Sequence, residues 1–191
     1  DIQDLKWLPQ IDEQYQVSGG ELYQARKQED GQYIFKYLGG VAILQTPWFF
    51  LAHIAALVTD YSADGFSCPY QYAIAYGAVI YCILALFMLR SLLLRFFGDR
   101  TVAITLILVV TATNLLQYVS VDGAMSHAYI LPLYVLIIYF TIKWHHRPRL
   151  IWSALIGFTI GIATISRPTE AIMLFIPLLW GTHNPTASKQ K

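Results

Sequence analysis

The chain has 191 residues, only 13% of them charged, and a net charge of +1. A globular domain carries about 25% charged residues, so a water-facing surface all round is excluded. The shortage is concentrated in a few long uncharged windows, which is the pattern of a membrane protein.

Residues 1–38 are polar and aromatic, with seven acidic and four basic side chains. Turn signals stand at Gly19-Gly20 and Glu29-Asp30-Gly31, and the DGQYIFKY alternation around the second suggests a strand or extended loop that delivers Lys36 just before the next apolar run. Residues 39–59 contain no Asp, Glu, Lys or Arg, but Gln45, Pro47 and His53 interrupt them. As a span they would carry the acidic 1–38 segment into the cytoplasm. As a helix lying in the interface they leave it outside, and that placement is preferred, with spanning as the alternative.

Residues 60–69 form a second polar loop. The uncharged windows 70–89 and 101–121 each reach the roughly 17–25 apolar residues that a span requires, and RSLLLRFFGDR between them supplies three arginines. The windows 127–142 and 150–166 are adequate once Trp144 and Trp152 are counted as interface residues. The stretch 150–180 is too long for one span and is expected to turn at Arg167-Pro168. Gly157 and Gly161 make a G-x-x-x-G face, expected to pack closely against another helix of the same protein. Cys68 and Cys82 form no disulfide or metal pattern, and the adjacent His145 and His146 point to different helix faces, against a zinc site.

The expected fold is an all-α integral membrane protein, a polytopic helical bundle of about four to five spans with an interfacial helix. Its parts are an extracytoplasmic segment (1–38), the interfacial or spanning helix (39–59), a transmembrane bundle (70–182) and a tail (183–191). Charge orients it. Loops 90–100, 143–149 and 183–191 together hold eight Lys or Arg and one acid, Asp99, whereas the rest of the chain holds five Lys or Arg and eleven acids. Basic loops stay inside, so the first group is expected to be cytoplasmic. The loop 60–69, the island VSVDGAMSHAY (119–129) and Arg167-Pro168 then share the outer face.

Three constellations carry candidate chemistry. In the island, Asp122-Gly123 reads first as a turn and Ser126 as a cap for the helix that starts near His127. The functional reading is that Asp122, Ser126 and His127 line a wet cavity at the mouth of a bundle. They have no triad spacing, and nothing marks Ser126 as a nucleophile. Arg167 is either a snorkelling side chain with Glu170 as local partner or an anion clamp, since a guanidinium forks onto phosphate and stays charged in apolar surroundings. Lys36 is either a headgroup-level anchor or a second anion ligand.

Four stretches occur in one order: KYLGGVAILQTPWFFLAHIAAL, YSADGFSCPYQYAIAY, VSVDGAMSHAY and ISRPTEAIMLFIPLLW. Together they resemble a family of bacterial polytopic glycosyltransferases of the dolichyl-phosphate-mannose–protein mannosyltransferase type, with the C-type membrane glycosyltransferase fold. The resemblance rests on several weak motifs rather than one decisive signature. It implies a sugar donor carried on polyprenyl phosphate and transferred on the outer face of the inner (plasma) membrane, within membrane lipid and with no nucleic-acid partner. It identifies no cofactor, and a divalent metal is not indicated. It also implies an acidic base early in the first outer loop. Asp12-Glu13 in DIQDLKWLPQIDEQY does not match that motif, so the base is expected upstream of Asp1, in a longer protein of which this chain is a fragment. Under this resemblance Arg167, with Lys36 as the weaker candidate, binds the donor phosphate, and Asp122, Ser126 and His127 shape the pocket. The alternatives are a transporter, against which the absence of internal repeats counts, and a structural or assembly subunit without catalysis.

Overall fold

The computed structural model describes residues 7–16, 25–29, 31–35 and 39–182. Lys36 lies outside the described residues. The chain divides into two compact units, Asp1–Ile74 and Ala75–Lys191.

In the first unit, α1 (Leu8–Tyr15) starts with a proline in its first turn and ends where Gln16 adopts a left-handed conformation, φ 48°. Strands β1 (Ala25–Lys27) and β2 (Tyr33–Phe35) pair antiparallel, Ala25 opposite Phe35 and Lys27 opposite Tyr33. Their connection needs the left-handed backbone that Gly31 supplies at φ 85°. Next, α2 (Gly40–Leu57) runs unbroken through Pro47. One strip of it is buried: Ala52 and Ala56 pack on Tyr70, and the His53 ring nitrogen Nδ1 bonds the Tyr70 hydroxyl at 2.5 Å. Elsewhere Phe50, Leu51, Ile54 and Leu57 point outward.

The loop before α3 (Cys68–Leu93) is organised by Asp64, a residue the sequence reading passed over. One carboxylate oxygen accepts the backbone amides of Phe66 (2.9 Å) and Ser67 (3.1 Å). The other accepts the Tyr15 hydroxyl, while Trp7 and Tyr15 pack their rings on Phe66. Desolvation pushes the Asp64 carboxyl up, but the bonds from Tyr15, Phe66, Ser62 and Ser67 outweigh it and hold the pKa at about 2.

The second unit takes up the rest of α3, then α4 (Asp99–Thr111), α5 (Leu115–Ser120), α6 (His127–His146), α7 (Leu150–Ser166), a 3-10 helix (Pro168–Leu174) and α8 (Phe175–Leu179). Its core lies between α3 and α6, where Ala85 and Leu92 meet Val135 and Ile142. Helix α6 is the most enclosed element: seven of its residues are buried, against the four buried in α7.

Three helices, α2, α3 and α6, are long and apolar enough to cross a membrane, and α7 and residues 168–179 form shorter apolar helices. Large apolar side chains face outward along all of them, including Leu84, Phe87, Phe158 and Leu178. Exposure on that scale is far beyond the few hundred Å² of apolar patch that a soluble monomer carries.

Two expectations are corrected. The window 101–121 is not one helix: α4 ends at Thr111 and α5 begins at Leu115. The 13 residues of α4 rise about 20 Å, short of the roughly 30 Å hydrocarbon core. The break is stabilised by one side chain. The Thr113 hydroxyl donates to the Val109 carbonyl at 2.6 Å and accepts the Leu115 amide at 3.2 Å, so it serves the end of one helix and the start of the next. The G-x-x-x-G face of α7 is also unlike the expectation. Among the described residues, a Cβ on Gly157 or Gly161 would meet nothing within 4 Å, and α7 instead buries Ile156, Thr159, Ile162 and Ala163.

In the island it is Gly123 that makes the close approach. Its φ is not positive, and a Cβ there would stand 3.4 Å from the backbone and side chain of Ala75 and Ala78 on α3. Glycine is thus present for space rather than for turn geometry. Alanine fits at ordinary contact distance, whereas a longer side chain overpacks the joint. Gly123→Leu is expected to cost about 1–3 kcal/mol and to lower the unfolding midpoint in detergent by several degrees, with Gly123→Ala close to wild type.

Asp64 generates a pH prediction. A carboxyl depressed in the folded state stabilises that state fully above its ordinary pKa near 4 and loses the contribution as pH falls through about 2. A ¹³C-carboxyl NMR titration should place the Asp64 midpoint near 2, and Tyr15→Phe should move it upward. A midpoint at the ordinary aspartate value in the wild type would remove Asp64 as the organiser of this loop.

Candidate functional site

The backbone sets up the site before any side chain does. Pro168 has no amide hydrogen, and its ring drives the preceding residue out of helical conformation. Arg167 accordingly sits at φ −150°, ψ 114°, one residue beyond the end of α7, and its side chain leaves the helix axis there.

What the guanidinium finds is specific. Arg167 Nη1 lies 3.0 Å from Nδ1 of His127, the first residue of α6. Arginine can only donate, so Nδ1 accepts, and a neutral His127 ring carries its hydrogen on Nε2. The ring is further fixed by Tyr118 of α5, stacked at 4.3 Å and 12°. On the other side, Arg167 Nε stands 3.8 Å from a carboxylate oxygen of Glu170, which is 90% enclosed. The second Glu170 oxygen accepts the Tyr134 hydroxyl at 3.0 Å.

These groups border a cavity of about 340 Å³ whose walls include Thr113, Asn114, Tyr118, His127, Tyr134 and Arg167. Its chemistry is that of an anion site with an aromatic wall. The Arg167 side chain is 35% exposed, and its loose contact with Glu170 leaves guanidinium hydrogens for a ligand. Two tyrosine hydroxyls or ring faces suit a polyol beside it. The break between α4 and α5 also finds its use here, because Thr113 and Asn114 form part of the wall.

The sequence candidates separate on inspection. Arg167 and His127 come together at hydrogen-bond distance. Asp122 and Ser126 do not line the cavity: Asp122 accepts a long 3.4 Å contact from Gln117, and Ser126 occupies the position before α6 without a side-chain capping bond. Lys36, the second phosphate candidate, is outside the described residues. Sequence reasoning missed Tyr118, Tyr134, Thr113 and Asn114. Spacing could have pointed to Tyr134, which lies seven residues after His127 and so falls on the same helix face. Among the described residues, no group of three or more His, Cys, Asp or Glu stands together as a metal site.

No protein-family model matches the chain, and no curated protein or solved structure matches it either. The geometry therefore has to carry the functional reading by itself.

The His127 tautomer is directly measurable. ¹⁵N NMR of the ring at alkaline pH should show a hydrogen on Nε2 and an accepting Nδ1. Arg167→Ala should mix the two tautomers, and a wild-type ring with its hydrogen on Nδ1 would disprove the contact.

Proposed function

We propose that this chain forms the donor-phosphate side of a membrane glycosyltransferase, which takes a sugar from a polyprenyl-phosphate carrier at the outer face of the inner membrane. The observation that carries the reading is the Arg167 guanidinium. It is held by His127 and Glu170 at the edge of a cavity with two tyrosines in its wall. Sugar transfer from a lipid phosphate builds negative charge on the departing phosphate oxygens, and a fixed guanidinium in surroundings of low dielectric stabilises it as it develops. Tyr118 and Tyr134 would face the sugar.

In this reading each pocket residue has a defined task. His127 orients Arg167 through Nδ1. Glu170 holds Arg167 and Tyr134, so it acts as a positioning residue. Neither can deprotonate the acceptor hydroxyl: Nδ1 of His127 is engaged, Nε2 carries the hydrogen, and both Glu170 oxygens face partners. The general base comes from outside this pocket. The basic loops 90–100 and 143–149 face the cytoplasm and α2 lies along the interface, which puts the Arg167 end of α6 on the outer side. In this reading α2 is not counted as a span, and the four to five spans of the bundle are α3, the α4–α5 segment, α6, α7 and, as the fifth, residues 168–179.

Membranes enriched in the protein, supplied with radiolabelled polyprenyl-phosphate sugars, should show transfer to an acceptor. Arg167→Ala should lower the rate about 100-fold, and Arg100→Ala, at the exposed start of α4 and not part of the cavity wall, should not. A correctly inserted Arg167→Ala protein with unchanged transfer would remove Arg167 from the site. Movement of an intact lipid-linked sugar across the bilayer without bond cleavage would favour a transporter.

A further inference from the structure

The opposite end of α6 carries a second cavity, of about 370 Å³, lined by Arg95, Lys143, His146, Arg147, Arg149 and Trp152. Three segments converge on it: the turn after α3, the last turn of α6, and the start of α7. The link between α6 and α7 is only Arg147-Pro148-Arg149, and both arginines are extended, at φ −145° and φ −134°. A proline again forces the residue before it out of the helix, so two guanidinium groups leave the chain side by side.

Four cationic groups border one cavity, and among the described residues none of its lining is a carboxylate. Asp99, the acid nearest in sequence, is taken by Arg90 at 2.7 Å. A preference for basic loops on one side of a membrane accounts for their number. It does not account for their convergence, which costs mutual repulsion unless an anion is present. The start of α7 adds to the field. No side chain caps it, so its first amides remain donors at the positive end of the helix dipole. The negative end of α6 is offset by Lys143, His145 and His146 in its own last turn.

We propose that this cavity binds the phosphodiester headgroup of an anionic phospholipid. What selects a lipid over a free phosphate is the apolar surface adjoining the cations. Trp152 lines the cavity and stacks on Phe140 at 6.0 Å, and Leu150 and Ile151 beside it project outward, Leu150 87% exposed. A headgroup seated on the arginines would lay its glycerol on Trp152 and its acyl chains along α7. The inference is independent of sugar transfer at the other end of α6.

The test uses the whole protein, delipidated in mild detergent and titrated by native mass spectrometry with phosphatidylglycerol and with phosphatidylcholine of the same acyl chains. Phosphatidylglycerol should be retained about tenfold more tightly. Arg147→Gln with Arg149→Gln should weaken its binding about 30-fold, from about 1 kcal/mol for each charge. The corresponding double lysine variant should keep most of it, and Arg100→Gln should keep all. Inorganic phosphate at the same concentration should neither bind nor displace the lipid. Circular dichroism checks helix content, and if the double glutamine variant loses it, Arg95→Gln and Arg149→Gln singly give the same readout. Equal retention of the two lipids, or a preference that survives charge removal, overturns the proposal. Displacement of phosphatidylglycerol by phosphate alone would show a free-anion site and overturn the lipid assignment.

Discussion

A residue followed by proline is driven out of helical backbone, and twice in this chain that residue is an arginine. Arg147-Pro148 precedes α7 and Arg167-Pro168 follows it. Each arginine is extended, at φ −145° and φ −150°. The 17-residue apolar α7 is thus bracketed by two points where the backbone must leave the helix and where a guanidinium leaves with it. Had α7 continued through residue 167, the charge would have faced lipid or bundle interior at a cost of about 2.5–3.5 kcal/mol. The break turns that cost into a site, because at a helix end the side chain can turn toward His127 and Glu170. The two cavities described, at the two ends of α6, depend on this one steric rule.

The two ends then differ in how charge is balanced. Around Arg167 the charge is balanced locally: the guanidinium donates to His127 Nδ1 and stands 3.8 Å from one Glu170 oxygen, and the second Glu170 oxygen accepts the Tyr134 hydroxyl. Such a site is ordered before a ligand arrives, and the 3.8 Å separation from Glu170 is a weak ion pair that an incoming phosphate can outcompete. Around Arg147 and Arg149 the charges are matched by nothing among the described residues. An ordered, internally paired guanidinium suits recognition of a changing charge during reaction. A cluster of cations with no carboxylate beside it among the described residues suits standing occupancy by an anion.

How far the sequence alone could go is clear from particular residues. The apolar windows located α2, α3, α6 and α7 because lipid-facing helices need uncharged side chains all round, a property visible without any packing information. The same criterion was blind to the break at residues 112–114, because threonine and asparagine are uncharged too. Only the Thr113 hydroxyl, which supplies bonds that the backbone would otherwise make, shows why a break is tolerated there. The turn at Arg167-Pro168 was legible from proline chemistry. The partnership of Arg167 with His127 was not, since the two residues are 40 positions apart and meet only through the packing of α6 on α7. Asp122 and Ser126 stand apart from the walls of this cavity for a related reason: proximity in sequence to His127 places them in the island, but at the edge of α6 one or two residues decide whether a side chain faces the cavity. Gly123, read as a turn residue, does lie in the turn that the Met125 amide closes on the Asp122 carbonyl, but its close approach to Ala75 and Ala78, which limits the side chain there, was not visible in the sequence.

Length gives the arrangement its functional consequence. The 17 residues of α7 rise about 26 Å, somewhat less than the roughly 30 Å hydrocarbon core. On the proposed orientation, an anionic headgroup held by Arg147 and Arg149 ties the lower end of α7 to one headgroup plane. The helix is then too short to lift the backbone of Arg167 fully to the other plane. An unrestrained arginine would snorkel across the difference, but the Arg167 side chain is turned instead toward His127 and Glu170. Its guanidinium therefore lies at or just below the boundary with the headgroups, where water is scarcer and a charge interaction with phosphate is stronger than at the surface. A polyprenyl carrier keeps its phosphate at that same boundary because its chain is anchored in the hydrocarbon. In the proposed function, the short helix and the restrained arginine together set the depth at which a lipid-borne phosphate is met.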